Sequence, residues 1–171
     1  MAGAVVLTVF VVAFALAYLD SGADAGKLVL DDAQAYGRGT VEFVSQRNLF
    51  LVRLADGSFL ALSDLDAANR ASPQRRCRVS PMPVDDARLP GLLQRFGSRS
   101  SEQAGGSTLL FREDCNGAIY DVAGARLDAA GPNLDRYPVG VRSDGKLTVD
   151  VGKRQCTERA GREAFAPVSC R

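Results

Sequence analysis

The residues best suited to chemistry are four cysteines, Cys77, Cys115, Cys156 and Cys170, and the charged groups that crowd the first two. Cys115 lies in "REDCNGAIYD", residues 112–121, where a cysteine precedes a glycine-led turn that ends in an aromatic residue and an aspartate. The stretch reads like half of a metal loop, yet Asn116 stands where a histidine would be expected. The whole chain of 171 residues contains no histidine. Ser-His-Asp and Cys-His catalysis are excluded on that ground, as are His-ligated zinc, His-ligated haem and mixed His/Cys iron–sulfur sites. The cysteines are 38, 41 and 14 positions apart, with no Cys-x-x-Cys pair, which argues against a four-cysteine zinc or iron–sulfur site.

Other groups admit a functional and a plainer reading. Asp64, Asp66, Glu113 and Asp114 are oxygen donors of the kind a hard cation such as calcium takes, or solvated loop charges. Arg75, Arg76 and Arg78 flank Cys77 and would contact an acidic partner or lipid headgroups, or are simply a solvated loop. Ser101 and Ser107 fall in "GSRSSEQAGGS", residues 97–107, a flexible composition with no neighbouring base, so nucleophilic roles are not expected. The net charge is +1, and there is no P-loop, glycine-rich phosphate cradle or basic stripe. No nucleic-acid partner is expected.

The elements that must position these groups begin with an uncharged run, "AGAVVLTVFVVAFALAYL", residues 2–19. As a helix it would span roughly 27 Å, close to the hydrocarbon thickness of a bilayer. A signal peptide would carry a basic segment first, and none is present, although Ala23-Asp24-Ala25 resembles a cleavage site. The expectation is a retained single-pass anchor at 1–19, followed by a polar linker at 20–26. Small residues Ala2, Gly3, Ala4, Ala13 and Ala15 would pack it against neighbouring helices. A short N-terminal tail and a large following domain suggest a cytoplasmic N-terminus and a periplasmic or other extracytoplasmic domain. An even number of cysteines agrees with disulfides in that setting.

After the linker the pattern becomes short and β-like. Strands are expected at 27–30, 40–44, 48–54, 58–62, 108–111, 118–122, 137–141 and 146–151. Asp56-Gly57 joins one pair of apolar runs and Asp144-Gly145 another, both hairpin signals. Residues 84–96 hold a short helix, capped by Asp85 or Asp86 and limited by Pro90. With seventeen glycines and seven prolines, the expected fold class is all-β, a small antiparallel barrel or sandwich behind one N-terminal transmembrane helix.

The order of these parts resembles the Rieske domain of bc-type complexes. The resemblance runs from about residue 41 to 151 and rests on four stretches. They are "LVRLADGSFLALSDLD" at 51–66, "NGAIYD" at 116–121, "AGPNLDRYPVGV" at 130–141 and "SDGKLTVDV" at 143–151. It implies a β domain at 27–151 with an enlarged first loop at 66–112, and leaves 152–171 as a tail. Carried over one position at a time, the four ligands of the [2Fe-2S] cluster fall on Asp66, Ala68, Glu113 and Asn116. A Rieske centre takes two thiolates and two imidazoles, and these residues offer neither. No cluster, other metal or cofactor is expected.

The family's second loop carries a cysteine that bonds to the first loop, and Cys115 matches it. The resemblance therefore implies a Cys77–Cys115 disulfide, which leaves Cys156 and Cys170 to pair and close the tail. Tyr120 takes the place of a core phenylalanine. The implied function is a non-catalytic, cluster-less subunit packed against other subunits of a respiratory or photosynthetic electron-transfer complex. A second hypothesis is a free-standing anchored binding module that uses residues 66–112. A third is an enzyme with a reactive thiol pair.

Overall fold

Residues 49–52, Leu-Phe-Leu-Val, are apolar without alternation, and all four are buried. Such a run belongs in a sheet covered on both faces. The computed structural model describes residues 26–70 and 77–170. The expected anchor and nearly all of the linker lie outside them, as do Arg75 and Arg76. Among the described residues no helix is long and apolar enough to cross a membrane.

The strands in chain order are β1 (Lys27–Asp32), β2 (Thr40–Val44), β3 (Leu49–Arg53), β4 (Phe59–Ser63) and β5 (Val79–Pro81). After α1 (Leu89–Phe96) come β6 (Leu110–Glu113), β7 (Ile119–Asp121), β8 (Gly131–Pro132), β9 (Arg136–Tyr137) and β10 (Val139–Val141). The last are β11 (Lys146–Asp150), β12 (Thr157–Ala160) and β13 (Glu163–Pro167). They form four small sheets, ordered β2-β3-β4-β9, β1-β11-β10, β5-β6-β7 and β13-β12-β8. Every pairing is antiparallel. The described residues are mostly β with little helix.

The two faces of β3 set the layering. Phe50 and Val52 pack with Leu62, Val79, Phe111 and Tyr120 beneath the β5-β6-β7 sheet. Leu49 and Leu51 pack on the opposite side with Ala61, Leu147 and Val149 of the β1-β11-β10 sheet. Full burial of such side chains contributes about 1.5–3 kcal/mol each. The outer face of β5-β6-β7 is covered by α1, whose Leu89 and Phe96 meet Leu110, Ile119 and Leu127. Asp56-Gly57 turns β3 into β4 as its sequence suggests. Gly57 has φ +95°, and the Asp56 carboxylate accepts from the Ser58 amide at 2.8 Å.

Three expectations change. The strand at 137–141 divides at Pro138, so that Tyr137 pairs with Ala61 in one sheet and Val139 with Val149 in another. A proline has no N–H to continue a ladder. The helix starts later than its aspartates, at Leu89 after Arg88. Pro90 sits in its first turn, where no amide donor is missed, and does not limit it. Asp86 holds the approach instead, accepting from the Arg88 amide at 2.9 Å. The tail is more than a closed loop: β12 and β13 form a hairpin that adds to β8. Asn133 secures it, donating to Thr157 Oγ1 at 3.0 Å and to the Ala164 carbonyl at 2.7 Å.

Candidate functional site

β5 pairs with β6 in the register Val79↔Glu113. The segment entering β5 and the turn leaving β6 therefore emerge at the same end of their sheet. Cys77 and Cys115, each two residues beyond that pair, meet there in a disulfide with a Cα–Cα distance of 5.2 Å. Cys156 and Cys170 form the second, with a Cα–Cα distance of 5.3 Å. No cysteine is free.

Glu113 shapes the β6–β7 turn from inside. Its side chain is fully buried, yet its carboxylate does not lie bare. It accepts from the backbone N–H of Cys115 at 2.8 Å, of Asn116, and of Gly117 at 3.2 Å. Gly117 has φ +73°, and a Cβ on it would lie 3.2 Å from an Arg112 guanidinium nitrogen. The turn thus closes over one anion with its amides pointing inward. Replacing Glu113 by alanine is expected to cost about 2 kcal/mol, with part of the loss recovered by glutamine. Urea unfolding with both disulfides intact measures it.

The first loop is clamped at both feet. Leu65 bridges Arg78, and the Arg78 guanidinium holds the buried Asp64 carboxylate at 2.7 and 2.9 Å. Arg78 also lies over the Phe43 ring, 5.3 Å from its centroid. Arg78, one of the three arginines read either as a partner contact or as a solvated loop, is engaged within the chain and keeps 40% of its side chain exposed. At the other foot the Asp66 carboxylate accepts from the Asn69 amide at 2.9 Å and its side chain at 2.8 Å. Arg70 then reaches the buried Asp135 through two bonds of 2.7 Å. That hydrogen bond raises the Arg70 pKa.

Beneath the loops lies Tyr120. Its ring is core, but its fully buried hydroxyl has no hydrogen-bond partner among the described residues. Burial first, and then the negative charge of Asp66, push its pKa well above the ordinary phenol range. An unsatisfied buried hydroxyl is a cost that phenylalanine removes. Tyr120→Phe is therefore expected to raise stability by about 1 kcal/mol in the same assay.

The candidate metal ligands do not assemble as a set. Asp64 is paired with Arg78, Asp66 caps its own loop, and Asp114 is exposed. Among the described residues one group brings three potential ligand atoms within 4.8 Å, Cys77, Glu113 and Cys115, and both of its sulfurs are bonded to each other. The plainer reading of solvated loop charges changes too: Asp64, Asp66 and Glu113 are buried, and of the four carboxylates Asp114 alone is exposed. The [2Fe-2S] cluster implied by the resemblance does not fit either. Asp66, Ala68, Glu113 and Asn116 present two carboxylates, a methyl group and an amide, and Ala68 and Asn116 are exposed. Ser101 does meet a potential base, which its sequence context did not suggest. Its hydroxyl donates to Asp121 at 2.6 Å, but that carboxylate also takes the amides of Ser101, Ala123 and Ala125. The contact is a loop anchor.

Fold and site together define an all-β domain with two loops joined by a disulfide over a buried, amide-bound carboxylate. No protein-family model matches the chain, and no curated protein matches it. Among solved structures it is similar to a Mycobacterium tuberculosis protein provisionally described as the small subunit of an NADH-dependent nitrite reductase. The TM-score is 0.38 at 16% identity, over 79% of this chain and 96% of that one. That likeness is too distant to carry an argument about this chain.

Proposed function

We propose that this chain is a non-catalytic, cluster-less Rieske-like subunit that packs against other subunits of a membrane electron-transfer complex, respiratory or photosynthetic. Residues 1–19 anchor it in the bilayer, with the β domain on the extracytoplasmic side. The observation that supports this reading best is Glu113. By the resemblance it takes the place of a cluster thiolate, and in the structure the turn amides close on its carboxylate. The Cys77–Cys115 bridge ties the two loops covalently, so their meeting at one end of the sheet requires no shared metal. A domain arranged so offers shape and rigidity to its neighbours.

Extraction in mild detergent followed by native mass measurement tests the proposal. Co-migration with haem- or pigment-bearing subunits is the expected result. An iron signal in electron paramagnetic resonance of the pure protein would sink the cluster-less part of it. A second reading, a free-standing anchored binding module, is favoured by the groove beside α1. A monomer of the chain's own mass, with no companion subunit, would favour that reading.

A further inference from the structure

The cover that α1 lays over the β5-β6-β7 sheet is incomplete. Between the helix and the β6–β7 turn runs an open groove of about 730 Å³. Half-buried Leu92 supplies its apolar surface, with the nearly buried Phe96 and Ile119 behind it, and Arg88, Arg95, Arg112 and Asp128 its charge. The carboxylates at its rim are already taken, Asp86 by Arg88 at 2.5 Å and Asp128 by Arg126 at 3.2 Å. Two guanidiniums remain. Arg95 lies over the Phe96 ring at 5.0 Å and pairs with no carboxylate among the described residues. Arg112 feels the charge of Asp86 but forms no hydrogen bond or ion pair with a described residue.

The helix side of the groove is also bare. A Cβ on Gly91 would meet nothing within 4 Å, so no neighbour in the chain requires a glycine there. Glycine within a helix costs about 1 kcal/mol relative to alanine. On the turn side, Arg112 lies against Gly117, which leaves its guanidinium beside the groove.

We propose that this groove docks an acidic segment of a partner protein. Its carboxylates would meet Arg95 and Arg112, and an aliphatic side chain between them would lie on Leu92 and Ile119. A recessed apolar floor between two cations without a carboxylate among the described residues suits a chain that carries both features; a flat layer of lipid headgroups would reach the cations and not the floor. The inference rests on the proposed function only in requiring a protein partner, and does not depend on Rieske-like ancestry.

The test uses the full chain in detergent and a short fluorescent peptide alternating glutamate and leucine. Its lysine–leucine counterpart is the control. Anisotropy is expected to show binding of the acidic peptide alone, weakened by salt and by about tenfold in R95Q/R112Q. R142Q, on the β10–β11 hairpin, should leave it unchanged, and equal unfolding midpoints verify that the variants fold. Failure of the acidic peptide to bind, or equal binding by R95Q/R112Q, overturns the inference. So does binding to phosphatidylglycerol vesicles that needs Arg95 and Arg112 while the peptide is ignored. Co-purification separates the two claims. A partner retained fully by R95Q/R112Q defeats the groove and leaves the accessory reading standing. Peptide binding without any co-purifying subunit does the reverse.

Discussion

Replacing Cys77 and Cys115 together by serine is expected to lower the unfolding free energy by about 4 kcal/mol. The bridge spans 38 positions, and closing a loop of that length removes much of the freedom of the unfolded chain. The native loops lose their covalent tie at the same time, but Glu113 and the Arg78–Asp64 pair still hold their backbones. The folded structure should therefore persist, with a melting temperature lower by about 10 °C. Cys156→Ser with Cys170→Ser is the internal comparison. That bridge spans 14 positions and should contribute about 3 kcal/mol. Paired thermal and urea unfolding of the two double variants checks both the size and the order. A loss below that of the shorter bridge would show that the turn around Glu113 holds the loops without the disulfide.

Asp135→Ala is expected to cost about 3–5 kcal/mol, the range for breaking a buried ion pair from one side. Asp135 is 1% exposed and lies between β8 and β9. Arg70 grips both of its oxygens at 2.7 Å from the far side of the first loop. Arg154 adds a contact at 3.5 Å, but 39% of its side chain is exposed, so water screens it. Removing the carboxylate leaves the Arg70 guanidinium in a site where only 15% of its side chain reaches solvent. Arg154→Ala should cost less than about 1 kcal/mol. Asp135→Asn, which keeps the volume and one acceptor, should fall between the two. Urea unfolding of the three variants checks the order, and an Asp135→Ala loss no larger than that of Arg154→Ala would remove the pair from the account of how the loop is clamped.

Much of the scaffold was legible because its signals are local. The Asp-Gly turns are read from two adjacent residues, and β3 from the apolar run that precedes one of them, although its burial on both faces appears only in the structure. Both disulfides were legible through the resemblance, which aligned Cys115 with a structural cysteine. The helix boundary was misread because aspartates before an apolar run look like caps, and Asp86 is occupied by Arg88 instead. The hairpin of β12 and β13 was missed because "TERA" and "EAFAP" carry no clear alternation. It is stabilised by pairing with β8 and by the Asn133 side chain, contacts that are distant in the chain.

The sequence by itself determined the exclusions: without histidine no Rieske centre can form, whatever the fold, because ligand chemistry depends on residue type alone. Tertiary structure decided which charges are occupied and which are left. Arg78 turns inward to Asp64, Arg70 crosses 65 positions to Asp135, and Arg112 lies beside a groove without a pair among the described residues. Nothing in the local sequence distinguishes these arginines. Their roles follow from which carboxylates the packed sheets bring within reach, and that is settled only when distant strands meet.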